Sequence, residues 1–259
     1  MDSSSQLVTL SMQDNIADVR LNRPEKLNAV SSAMIEAIAA TLTKLETMKE
    51  LRCIVLSGEG RGFCAGIDLN TFATNSIAKD LITRTHGPAN LFQHVVWGWR
   101  QLPVPVIAAV HGMAFGAGFQ LMLGADIRIA APEAQLSIME LRWGLVPDMA
   151  GFPLLRGLVR DDVARELVYT ARKFPGREAA SLGLVTRLAD DPLTEAMALA
   201  RSIAAQSPPA IRAAKRLFNF SDDPGPLLEA EAREQQSLIT SPEHAETLAA
   251  ARENRPPRF

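Results

Sequence analysis

Apolar residues in this chain recur first at the period of strands and then at the period of helices. Leu7–Met12 and Ile16–Leu21 alternate apolar and polar positions around Gln13-Asp14-Asn15, which predicts two paired strands and a turn. Pro24 and Asn28 mark a loop. Ile35, Ile38, Leu42 and Leu45 then fall on one helical face, predicting a helix from Ser31 or Ser32, as cap, to about Met48. Arg52–Leu56 reads as a short strand that ends at Ser57-Gly58. Ile77–Leu102 reads as mostly helical, interrupted near Gly87-Pro88 and stopped by Pro103 and Pro105. Val106–Val110, Ile127–Ala130 and the shorter Leu136–Ile138 read as strands, and Ala117–Leu123 as a helix.

From Gly151 onward the strand pattern fades. Helices are expected at about 150–157, 161–170, 177–182, 193–206, 209–218, 227–239 and 242–253, punctuated by Pro192, Pro208-Pro209, Pro224-Gly225-Pro226 and Pro242. The fold class is therefore α/β: β–α units first, an all-helical tail afterwards. The last helix is charged and alanine-rich, which suits an arm packed on another subunit.

With 259 residues, 47% hydrophobic and 22% charged, the chain is long enough for one folded domain with an appendage. Its formal charge of −2 gives no general attraction to nucleic acid or to an anionic membrane. No run approaches the roughly 18 apolar residues of a membrane helix, and the start has no signal-peptide pattern. With two cysteines, Cys53 and Cys64, a disulfide-free cytoplasmic protein is the simplest expectation. The four histidines have no metal-ligand spacing, so no metal is expected.

Candidate chemistry lies in two glycine-rich loops. Val106–Asp126 runs from a strand through Gly112, Gly116 and Gly118 into a helix, where the first backbone N–H groups have no intrahelical partner. Gly58–Leu69 is a second loop of this kind. Two such loops can aim two N–H groups at one oxygen, the requirement of an oxyanion hole. Neither G-x-G-x-x-G nor G-K-[ST] occurs, so neither loop reads as a nucleotide site.

Four blocks occur in fixed order: LNRPEKLNAV at 21–30, IVLSGEGRGFCAGIDL at 54–69, PVIAAVHGMAFGAGFQLMLGADIRIAAPEAQLSIMEL at 105–141, and GLVPDMAG at 144–151. With them the chain resembles the enoyl-CoA hydratase/isomerase (crotonase) superfamily over nearly its whole length. The resemblance implies a spiral of ββα units over residues 1–200 and a helical oligomerisation region at 201–259. It also implies a homotrimer or hexamer, a coenzyme A thioester as substrate, and no other cofactor. Carried over by position, the oxyanion N–H groups belong to Ile67 and Ala117. Lys26, Ala29, Ala65, Asp68 and Leu69 fall where the family grips the CoA chain. Glu140 stands at one of the two acid positions of the hydratases. The other is Gln120, an amide that can orient a group but cannot exchange a proton at neutral pH. Asp148, eight residues after Glu140, is similar in placing to the second acid of the dienoyl-CoA isomerase branch.

The residues also allow plainer readings. Glu140 can pair with Arg142, Asp148 can be a turn or cap residue, and the tryptophans at 97 and 99 can be core rather than acyl-pocket residues. Gln120 lies three residues after Ala117, hence on the same helical face and facing the same pocket. Gly144 and Pro147 break any helix between Glu140 and Asp148, so the two carboxylates can face each other across a bend. Met139, Leu141, Trp143, Met149 and Phe152 would surround them and raise their pKa values. Hydration of a 2-enoyl-CoA and migration of a double bond both remain open. So does an acyl-CoA-binding scaffold with little chemistry.

Overall fold

A computed structural model of the chain describes residues 6–68, 81–220 and 223–259. β1 (Val8–Gln13) and β2 (Ile16–Leu21) form the expected hairpin, turning through Asp14 and Asn15, both at positive φ. The helix α1 (Ser32–Glu46) is capped by the Ser31 side chain, which accepts from the Met34 N–H at 3.2 Å. β3 (Cys53–Gly58) follows. The long helix expected over Ile77–Leu102 is shorter: α2 spans Leu91–Gln101, and residues 81–90 are turns and bends. Its start is fixed by a capping box, in which Asn90 and Gln93 satisfy each other's backbone N–H. Residues 69–80, which carry the rest of that expectation, lie outside the described residues.

β4 (Val106–Val110), β5 (Met113–Phe115), α3 (Ala117–Leu123), β6 (Ile127–Ala130) and β7 (Gln135–Ser137) come next. β5 replaces what the sequence reading took for a turn; three residues carry no readable period. The region expected to be wholly helical also contains two two-residue strands. Its elements are α4 (Gly151–Arg156), α5 (Asp161–Thr170), β8 (Phe174–Pro175), α6 (Gly176–Ser181), β9 (Arg187–Leu188), α7 (Pro192–Ala204), α8 (Pro208–Phe218), α9 (Pro224–Ile239) and α10 (Pro242–Arg252).

The strands join into two sheets, of order β1-β2-β3-β4-β6-β9 and β5-β7-β8. Apart from the β1–β2 hairpin, the larger sheet is parallel. β3 and β4, at its centre, are covered on both faces, which explains their continuous apolar runs. Ile54, Leu56, Val106, Ala108 and Val110 face a core shared with α1 and α2. Cys53, Val55, Ile107, Ala109 and Ile129 face the other way, against Ala196, Ala200 and Ala204 of α7. Alanine at every fourth position lets that helix sit close to the sheet. The expected division at residue 200 thus falls inside a helix that closes the core.

α8 is tied down by Lys215, whose buried ammonium donates to Asp126 Oδ2 at 2.8 Å and to the carbonyls of Trp99 and Val104. Beyond it, α9 has no buried described residue and α10 only Ala250. Phe218, Phe220, Leu228, Ile239 and Leu248 are exposed. No helix among the described residues is long and apolar enough to cross a membrane.

Candidate active site

The site forms where the 21–30 loop, the 58–68 loop and the β5–α3 turn meet. Asn28 is the brace between the first two. It is fully buried at φ 56°, its Oδ1 accepts from the Arg23 N–H, and its amide donates to the carbonyls of Glu59, Gly62 and Phe63. Arg23 adds a second tie, donating to the Ala29 carbonyl and, at 2.6 Å, to Asp68. The sequence reading treated Asn28 only as a loop marker and missed Arg23. The tolerance of asparagine for left-handed backbone was the one available signal.

Two glycines set the approach of the loops. Gly66 has φ +100°, and a Cβ there would lie 2.8 Å from the Phe115 carbonyl oxygen. A Cβ on Gly118 would lie 2.4 Å from the Cys64 carbonyl oxygen. Only glycine permits this contact between the 58–68 loop and the start of α3.

The approach leaves two N–H groups open. The Val30 N–H donates to the Gly66 carbonyl and the Asp68 N–H to the Val30 carbonyl, so the Ile67 peptide N–H points away from Val30. Ala117 is the first residue of α3, ahead of any intrahelical partner. Among the described residues, neither N–H donates to a protein acceptor. Both residues line one cavity of about 450 Å³. Lys26, Ala29, Ala65 and Asp68 line it too, and so do Glu140, Trp143 and Leu145. Leu69, expected beside them, lies outside the described residues.

Glu140 begins a short 3-10 turn, Glu140–Trp143. Its Oε1 accepts from Gln120 Nε2 at 2.6 Å, while Oε2 is buried without a partner. No ion pair joins it to Arg142, whose guanidinium donates to the Ala171 carbonyl instead. Burial raises the Glu140 pKa, the Gln120 hydrogen bond offsets part of that rise, and the charge of Asp148 adds to it.

Two placements differ from the sequence reading. Gln120 does not line the pocket with Ala117. It is buried, and its Oε1 accepts from the Met149 N–H at 2.9 Å while its Nε2 holds Glu140. A backbone N–H can only donate, so the amide's orientation is fixed. Asp148 lies not across the same cavity from Glu140 but on the wall of a second one, of about 310 Å³. Although Asp148 as a residue is exposed, its carboxyl is partly desolvated by the cavity wall, which raises its pKa, and a backbone hydrogen bond offsets part of the rise. Trp97 lines this second cavity, whereas Trp99 is core. Cys64, beside the oxyanion loop, is fully buried with its thiol pushed up to about 12, so it is no nucleophile.

Residues 11–259 match the family model of enoyl-CoA hydratase/isomerase. The chain is 32% identical to human mitochondrial methylglutaconyl-CoA hydratase, with 92% of this chain and 72% of that one aligned. It is 30% identical to the mitochondrial Delta(3,5)-Delta(2,4)-dienoyl-CoA isomerase of Pongo abelii, covering 98% and 81%. The crystal structure of an enoyl-CoA hydratase from Bacillus anthracis superposes with a TM-score of 0.90 at 30% identity, covering 98% of this chain and 99% of that one.

Proposed function

Since the chain belongs to the enoyl-CoA hydratase/isomerase family and has the crotonase fold, we propose that it moves a double bond in an acyl-CoA thioester. In this reading the thioester oxygen sits between the Ile67 and Ala117 N–H groups. Lys26, Ala29, Ala65 and Asp68 flank the CoA arm, with Leu69 following in sequence. Glu140 removes a proton from Cα of a 3-enoyl-CoA, the charge moves to the thioester oxygen, and Glu140 returns the proton to Cγ. The product is the conjugated 2-enoyl-CoA. Each N–H in such a hole contributes about 3–4 kcal/mol to the barrier it lowers.

The observation that carries this reading is one buried carboxylate with one oxygen held by an amide and the other unpartnered, beside two open N–H groups. A shuttled proton needs one such group. Hydration needs a second, to manage water at Cβ, and that position is an amide. Purified protein given 3-enoyl-CoA is expected to raise the absorbance of the conjugated thioester, while 2-enoyl-CoA is hydrated slowly. Fast hydration without isomerisation would reverse the assignment.

Acyl-CoA thioesters are expected to raise the melting temperature by mass action, more than free CoA does. No shift with any of them up to millimolar concentration would remove the ligand class.

The exposed apolar side chains of α8, α9 and α10 support a further part of the reading, assembly into a homotrimer or hexamer. Light scattering is expected to give three or six times the 28.1 kDa chain mass. A monomer at micromolar concentration would leave those side chains without a role.

A further inference from the structure

The direction of the Ile67 N–H is set from the 23–30 loop. The Ala65 N–H donates to the Leu27 carbonyl. Val30 then takes one bond on either side of Ile67, from its own N–H to the Gly66 carbonyl and from the Asp68 N–H to its own carbonyl. Whatever fixes the 23–30 loop therefore fixes where the Ile67 N–H points.

Both ends of the Asn28 amide do so. Nδ2 donates to the Glu59, Gly62 and Phe63 carbonyls at 2.9, 2.9 and 3.2 Å, which locks the loop against the chain that leads into Ile67. Gly58 makes room for this, since a Cβ there would lie 2.8 Å from Nδ2. Oδ1 accepts from the Arg23 N–H at 2.8 Å, and the Arg23 guanidinium holds Asp68, the residue after Ile67. The Cys64 thiol adds a bond to the Asn28 carbonyl at 3.1 Å. Residues 64–68 are thus braced from before and after Ile67. Asn28 itself is fully buried and lines neither cavity. Its left-handed φ of 56° suits asparagine, aspartate or glycine, and of these only asparagine has side-chain N–H donors.

Resting on the acyl-CoA reading above, we propose that Asn28 is the positioning residue of the N–H pair: without touching substrate, it aims the Ile67 N–H at the thioester oxygen. All of its bonds lie within the chain, so the aim is set before a ligand arrives and does not depend on the CoA arm. Donors fixed in advance need no reorganisation when charge develops on the oxygen. Ala117 sits on the other loop and keeps its N–H in place whatever changes at Asn28.

Isotope-edited infrared spectroscopy tests this, because the carbonyl stretch of a bound thioester falls as its oxygen is polarised. The probes are a saturated acyl-CoA labelled with carbon-13 at the carbonyl, and the same acyl group on pantetheine. In the wild type both are expected to show the same lowering when bound, although the pantetheine thioester binds more weakly. Asn28→Asp keeps shape, backbone and the acceptor for the Arg23 N–H, but sets an oxygen against three carbonyls. Asn28→Gly keeps the backbone and removes both ends of the amide. Each is expected to lose roughly half of the lowering, one donor of two, and to reduce kcat at least about tenfold while KM moves by about threefold at most. A folded variant that keeps the full lowering overturns the proposal even where kcat falls, since damage elsewhere would leave the carbonyl as polarised as before. A wild-type lowering seen with the acyl-CoA but not with the pantetheine thioester also overturns it, for the CoA arm would then aim the N–H. That comparison decides the matter if neither variant folds. No lowering in any bound thioester removes the N–H pair from the thioester oxygen, and with it the reading on which the proposal rests.

Discussion

Glu140→Gln lowers kcat by about 10²–10⁴-fold, with acyl-CoA binding changed little. The substitution keeps size and leaves a carbonyl oxygen to accept from Gln120 Nε2, but it removes the buried carboxylate beside the N–H pair that takes up and returns the proton. In the wild type the base must be ionised, so kcat/KM rises with pH through the Glu140 pKa, which burial places above the usual carboxylate range. The same shift predicts a change in stability. An acid whose folded pKa is raised costs nothing below its unfolded pKa and destabilises the fold as pH rises through the folded value. Glu140→Gln is therefore expected to melt higher than the wild type at about pH 8, with the gap closing near pH 4. A variant that keeps wild-type kcat would remove Glu140 from the chemistry. A melting gap that does not change with pH would contradict the buried, ionised state assigned to it.

How much of this could be read before any coordinates follows the range of the interactions. The strands β2, β3 and β4 and the helix α1 were legible because each has a period and a local stop signal. The meeting of the two loops was legible as glycine spacing, because close backbone approach leaves its mark in the residues that permit it, whereas Ile67 and Ala117 were singled out by the family resemblance. β5, β8 and β9 were not, since two or three residues exist as strands only through partners far along the chain. The state of Gln120 was also out of reach. Helical geometry correctly put it one turn after Ala117. That its amide is clamped between Glu140 and the Met149 N–H depends on contacts 20 and 29 residues away. The bend at Gly144 and Pro147 was visible, but not that it sends Asp148 into a neighbouring cavity.

Gln120→Glu is expected to turn the site towards hydration, raising the hydratase kcat by at least about tenfold, some 1.4 kcal/mol of barrier. One oxygen of the new carboxylate takes over the bond from the Met149 N–H. The other replaces the amide NH2 and meets Glu140 Oε1 at the 2.6 Å now spanned by that hydrogen bond. Two carboxylates this close cannot both ionise, so they share a proton and titrate as a pair. The singly ionised pair is what water addition to a 2-enoyl-CoA requires: one member takes a proton from water at Cβ, the other supplies one at Cα. Loss of the shared proton at higher pH removes the acid. The hydration profile of the variant should therefore be bell-shaped, with a basic limb tied to the pair. Isomerisation needs only the base, so it should survive the substitution better than a merely structural disruption would allow. A wild type that already hydrates rapidly, slowed by Gln120→Glu at every pH, would show that the amide itself serves hydration. The clamp on Glu140 would then be the means by which a one-carboxylate site handles water.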